Sequence, residues 1–222
     1  MNNPLRHLPS WAGRRRLGAV LAGGGILLIV AGLAIFVPPL VGLLQRSRAD
    51  TKALQEWKDP GSALSSNLKV KTIQQPGASP VATTPTCGSG SPASSYALID
   101  FPQLSGIEGV AGNGTWSMLL SRSVVHYSNS PGPGQPGNGL WAMHREPNFE
   151  PLGTLKDGDT VVITNRACQQ FTYVISNMWT ESPSKVTQLQ PISSGTWITL
   201  ITCTPLWIDS ERIVIRAQLQ AS

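Results

Sequence analysis

From Leu17 to Gln45 the chain carries no charged residue, and no other stretch restricts its fold so strongly. The apolar heart of that stretch, Leu17 to Val37, ends at Pro38-Pro39. As a helix, such a run extends about 31 Å, close to one hydrocarbon thickness. Gly23-Gly24-Gly25 would weaken a helix standing in water, which argues against a buried soluble helix. Arg14-Arg15-Arg16 precede the run and Arg46 and Arg48 follow it, a bias that sets the N-terminus on the cytoplasmic side. The alternative is a cleaved signal peptide, with Gly32 and Ala34 as small residues near a cut, but the run is long for that role. We therefore expect a cytoplasmic N-terminus (1–16) and a transmembrane anchor (17–45), with whatever folds beyond it lying outside the cell.

Composition changes at residue 46. The first part, through Trp57, is polar and can continue as a helix out of the membrane. From Asp59 to Ser95 the chain is rich in Pro, Gly, Ser, Thr and Ala, which cannot bury enough apolar area to offset ordering. Residues 46–95 thus read as a flexible extracellular linker, long enough to let a domain stand off the membrane. The net charge of +5 invites a nucleic-acid reading, but its distribution removes it. Residues 1–95 hold ten Lys/Arg against three Asp/Glu, while residues 96–222 hold seven against nine. The folded part is mildly acidic and offers no basic patch for DNA or RNA.

Residues 96–222 are the expected folded domain, and they read as short strands. Ala97–Asp100, Gly106–Gly112, Trp116–Leu120, Val124–Tyr127 and Leu140–His144 come first, with a Pro/Gly loop at 128–139. Thr160–Thr164 and Phe171–Ser176 suggest a hairpin, and 184–191 is ambiguous. Two further strands close the domain. Trp197–Thr202 is β-branched, aromatic and uncharged. Ile213, Ile215, Ala217 and Leu219 alternate with Arg212, Val214, Arg216 and Gln218. Seven or eight short strands with few helical periods predict an all-β fold, a closed or nearly closed barrel.

Cys203 ends one of the last two strands and Arg212 begins the other, so the loop 204–211 sets a thiol near a guanidinium. A thiol acts as its thiolate, which a nearby positive charge favours, and a fixed arginine can also bind an acyl oxyanion. A buried structural cysteine beside an ordinary edge arginine fits the same pattern. A partner base would come from His126 or His144, since His7 precedes the anchor. Of the other cysteines, Cys87 and Cys168 are free to pair outside the cell, although counting does not decide it. No CxxC spacing, zinc-type cluster or phosphate-binding glycine loop occurs, so neither metal nor cofactor is expected.

Thr199-Leu200-Ile201-Thr202-Cys203, followed nine residues later by Arg212, resembles the signature of sortases, the cysteine transpeptidases of bacterial cell surfaces. Pro133-Gly134-Gln135-Pro136-Gly137-Asn138 and Leu140 through His144-Arg145 resemble the sortase segment that carries the catalytic histidine. The pattern behind it, Phe149, Leu152, Leu155, Gly158-Asp159 and Val161-Val162, is similar too, so the resemblance spans about 97–219. One departure is Met143, where sortases commonly have glycine. The resemblance implies Cys203 as nucleophile, His144 as acid and base, and Arg212 as the oxyanion and substrate ligand. Thr202 and His126 would support the site, and Arg216 would be structural. It also implies the partners: surface proteins with a C-terminal sorting signal related to LPxTG or LAxTG, and an amine acceptor of peptidoglycan or pilin. The single N-terminal anchor is like the housekeeping or class D/E types. The alternatives are an L,D-transpeptidase, whose Ser-x-Gly-Cys-x-Arg setting is missing around Cys203, and an inactive β-barrel surface module.

Overall fold

A computed structural model describes residues 11–58, 87–185 and 190–220, with helix side chains from Gly25 onward. The helix α1, Trp11–Lys58, contains Pro38 and Pro39 and is long and apolar enough to cross a membrane. It runs past residue 45, where the sequence reading begins the linker. The chain divides into two compact units, one up to Leu43 and one from Leu44 on.

The second unit holds a closed barrel of eight strands, in the order β1-β2-β3-β4-β7-β8-β6-β5. These are β1 Ala97–Asp100, β2 Glu108–Gly114, β3 Val124–Tyr127, β4 Gly137–Met143, β5 Thr160–Asn165, β6 Gln170–Glu181, β7 Thr196–Thr204 and β8 Glu211–Leu219. Closure pairs β1 with β5, Ile99 opposite Ile163, and leaves no strand edge open. Neighbours are antiparallel except β2–β3 and β4–β7, which run parallel. The expected hairpin is β5–β6. Segment 184–191 lies partly outside the described residues.

Trp116–Leu120 is not the expected strand but a 3₁₀ turn. The stretch has no β-branched residue and no alternation to hold it in a sheet. Met118 instead lies over Gly112 and Gly114 so closely that a β-carbon at either would overlap it. The barrel interior is filled by Trp141, Tyr173, Phe101, Phe149 and the aliphatic residues of all eight strands. Burying each such side chain stabilises by about 1.5–3 kcal/mol before entropy is counted. Met143, the departure from the family pattern, is one of these inward residues and leaves the strand register intact.

The last turns of α1 belong to this unit. Ala53 and Trp57 are buried against Val110, Leu98 and Cys87, and Lys58 pairs with Glu108. The Asp50 carboxylate accepts from the Ser123 backbone N–H at 3.2 Å. The chain rejoins the described structure at Cys87, which forms a disulfide with Cys168 in the β5–β6 turn. Arg166 adds a bond to the Ser95 carbonyl at 2.9 Å. The disulfide closes 81 residues, so opening it in Cys87→Ser or Cys168→Ser should cost about 2–4 kcal/mol of stability. A thermal melt unchanged by reductant would contradict this.

Candidate active site

Three adjacent strands bring the chemistry-bearing residues into one row. β4 and β7 run in parallel register up to the Met143–Thr202 pair, so His144 and Cys203 leave their strands side by side. Across the β7–β8 ladder Cys203 stands directly opposite Arg212. Met143, Thr202 and Ile213 form the next row and are buried. Strand alternation therefore turns His144, Cys203 and Arg212 to the opposite face. Residues 59 positions apart in the chain become neighbours because the β4–β7 crossover is parallel.

Cys203 is a half-buried free thiol. Burial pushes its pKa above the ordinary thiol value; Arg212 pulls the other way, and Asp209 and Glu146 add to the rise. Burial lowers the His144 pKa, the Leu119 carbonyl opposes that, and Arg46 lowers it further. Asp209 and Asp50 act to raise it. The net directions leave thiol and imidazole mostly neutral at pH 7, with thiolate–imidazolium as a minor form.

The surroundings of His144 Nε2 are in competition. Arg46 Nη1 lies 2.7 Å away and the Leu119 carbonyl oxygen 2.8 Å away. A guanidinium only donates and a carbonyl only accepts, so the two partners require opposite protonation of that nitrogen. Arg46 donates to the bare nitrogen; Leu119 accepts from the protonated one. Nothing in the sequence flags Arg46, which sits 98 residues from His144 and reaches it only because α1 packs on the barrel.

Arg212 Nη1 donates to the Asp209 and Glu211 carbonyls at 2.8 and 2.9 Å, which fixes the start of β8 and the guanidinium with it. Thr202, beside Cys203, is 3% exposed. Arg216 lies 5.2 Å from the Trp179 ring centroid, a packing contact away from the row. His126 is not brought to the row. It sits opposite Trp141, level with Leu200 and three residues along from Cys203. There it is 2% exposed, stacked on Tyr96, and bonded to Asn113 Oδ1 at 2.8 Å and to the Pro131 carbonyl at 3.0 Å. A pocket of about 410 Å³ lies between α1 and the 147–151 segment, lined by Asp50, Leu54, Glu108 and Phe149. Cys203, His144 and Arg212 are not among its lining residues. Among the described residues no cluster of His, Cys, Asp or Glu is arranged to hold a metal ion.

A family model described as "Sortase domain" matches residues 99–220. The chain is 28% identical over 145 residues to sortase SrtE1 of Streptomyces coelicolor, a match spanning 58% of this chain and 41% of that protein. Sortase E from Streptomyces avermitilis superposes with a TM-score of 0.51 at 29% identity, covering 57% of this chain and 88% of that one. A sortase D5 transpeptidase from Clostridium perfringens matches with a TM-score of 0.54 at 21% identity, covering 79% and 98%. At that identity the likeness is one of fold.

Proposed function

Because the chain belongs to the sortase family, we propose that it is a membrane-anchored cysteine transpeptidase that cleaves a sorting signal and joins the product to an amine. The observation that carries this is the His144–Cys203–Arg212 row on three adjacent strands. In this reading residues 1–16 are cytoplasmic, 17–45 the anchor and 96–222 the extracellular catalytic domain, and the linker expected over 46–95 is shorter, because 46–58 is helix seated on the barrel and Cys87 is stapled to it. The family match does not favour the L,D-transpeptidase alternative.

The Cys203 thiolate attacks the carbonyl carbon of the scissile peptide bond, and Arg212 stabilises the oxygen that becomes negative. Collapse expels the amine, which takes its proton from His144, and leaves a thioester on Cys203. An incoming amine gives a proton to His144, attacks the thioester carbon and releases the thiolate. Full-length protein in detergent should cleave LPxTG or LAxTG peptides and transfer the acyl part to an added amine. Cleavage of a muropeptide instead would overturn the reading.

Activity needs protonated His144 together with ionised Cys203. The profile should therefore be a low plateau, falling below a His144 pKa lowered from 6.5 and above a Cys203 pKa raised from 9.0. Arg46→Met removes the charge and donor that hold Nε2 bare while Leu119 still accepts from Nε2–H. The imidazole pKa then rises, the gap to Cys203 narrows and the competent fraction grows. The acid limb should move to higher pH and the plateau should rise. An unmoved limb in kcat/KM against pH would sink this account of Arg46.

A further inference from the structure

The residues just behind His144 hold the loop just behind Cys203. Arg145 Nη1 donates to Thr204 Oγ1 at 3.1 Å, and its Nε donates to the Glu150 carbonyl at 3.1 Å. Glu146 is 8% exposed, and its Oε1 accepts the Trp207 backbone N–H at 2.8 Å. That bond reaches the loop at its tightest point. Trp207 and Asp209 both have left-handed φ, 65° and 59°, and the Ile208 and Asp209 N–H groups fold back onto the Pro205 carbonyl. Aspartate tolerates that backbone, but a bulky tryptophan rarely holds it without help. The result is an apolar tip in water: Trp207 is 67% and Ile208 69% exposed, between Cys203 and Arg212 in the chain.

A carboxylate this buried is costly unless its bond does something. Its charge is also unhelpful to the thiol, whose ionisation it opposes. It therefore stands beside the nucleophile at some cost to reactivity, and what it supplies in return is the backbone acceptor for Trp207.

We propose that Glu146 is a positioning residue: by accepting the Trp207 N–H it holds the tip Trp207-Ile208 beside Cys203, where the tip grips the apolar part of the peptide substrate. This rests on the transpeptidase reading for its substrate and on the Glu146–Trp207 bond for its geometry. Glutamine keeps an acceptor oxygen at the same place without the charge, and alanine removes both. Glu146→Ala should raise KM for the sorting-signal peptide about tenfold, the scale of one lost buried hydrogen bond. Glu146→Gln should stay within about threefold of wild type on the same scale. Alkylation of Cys203 by a small neutral reagent should be no slower in either variant, because the opposing charge is gone in both.

Full-length protein in detergent serves for peptide kinetics, alkylation and amide hydrogen exchange at Trp207. The amide should be protected in wild type and Glu146→Gln and exchange freely in Glu146→Ala. The proposal fails if Glu146→Gln is as impaired as Glu146→Ala, if Glu146→Ala leaves KM unchanged, or if KM and alkylation deteriorate together. Should wild type process no sorting-signal peptide, the transpeptidase reading falls and the substrate-gripping part falls with it. The Trp207 amide still decides whether Glu146 holds the loop.

Discussion

Cys203→Ala is expected to reduce acyl transfer to background, a loss of at least about 10⁴-fold, because no other group can form the thioester. The fold should survive. Cys203 is half-buried at the end of β7, and alanine removes only the sulfur while the backbone pairing with Arg212 remains. Cys87→Ser and Cys168→Ser should retain transfer at temperatures where they remain folded, since that pair is a disulfide. Thioester capture by a sorting-signal peptide, read by intact mass, makes the comparison direct. A mass adduct on the Cys203→Ala protein would disprove the nucleophile assignment.

Arg212→Ala is expected to lower turnover by about 10²–10³-fold or more, the usual loss on removing an oxyanion donor. Arg212→Lys keeps the charge but not the planar fork, and one ammonium cannot reproduce that geometry. It should fall between alanine and wild type in transfer while alkylating at close to the wild-type rate, since alkylation tests the thiolate alone. Arg212 also ties the Asp209 and Glu211 carbonyls, so part of the alanine loss should appear as loosened loop geometry. Arg216→Ala should cost far less, because Arg216 packs against Trp179. A larger transfer defect in Arg216→Ala than in Arg212→Ala, with both folded, would show that the wrong arginine carries the role.

Local pattern made most of the barrel readable. Alternation in Arg212–Leu219 and the uncharged run Trp197–Thr202 set two strands to within a residue or two, and both lie where expected. Trp116–Leu120 misled because its aromatic and aliphatic content suits a strand while its fate depends on Met118 covering two glycines. The row of His144, Cys203 and Arg212 was legible through motif resemblance, and the parallel β4–β7 register supplies its geometry. His126 was a candidate as one of the two histidines beyond the anchor and through the resemblance, yet its ring is sequestered by Tyr96, Asn113 and Pro131. Arg46 and Glu146 were invisible for one shared reason. Each acts across a tertiary contact, from α1 to His144 or from the segment after β4 to the β7–β8 loop, and neither has a local sequence signature.

The two ends of segment 59–86 sit on the same body. Trp57 lies against Gly88, and Ser89 Oγ donates to the Glu56 carbonyl at 3.3 Å. On one side the helix is seated by Ala53 and Trp57, and on the other the chain is stapled at Cys87. A chain that departs and returns at one spot cannot act as a leash, whatever its length. While both ends stay seated, lengthening or trimming it leaves the row of His144, Cys203 and Arg212 where it was. A single nick within it would likewise sever the backbone without freeing the barrel, because α1 would still be held by its buried face.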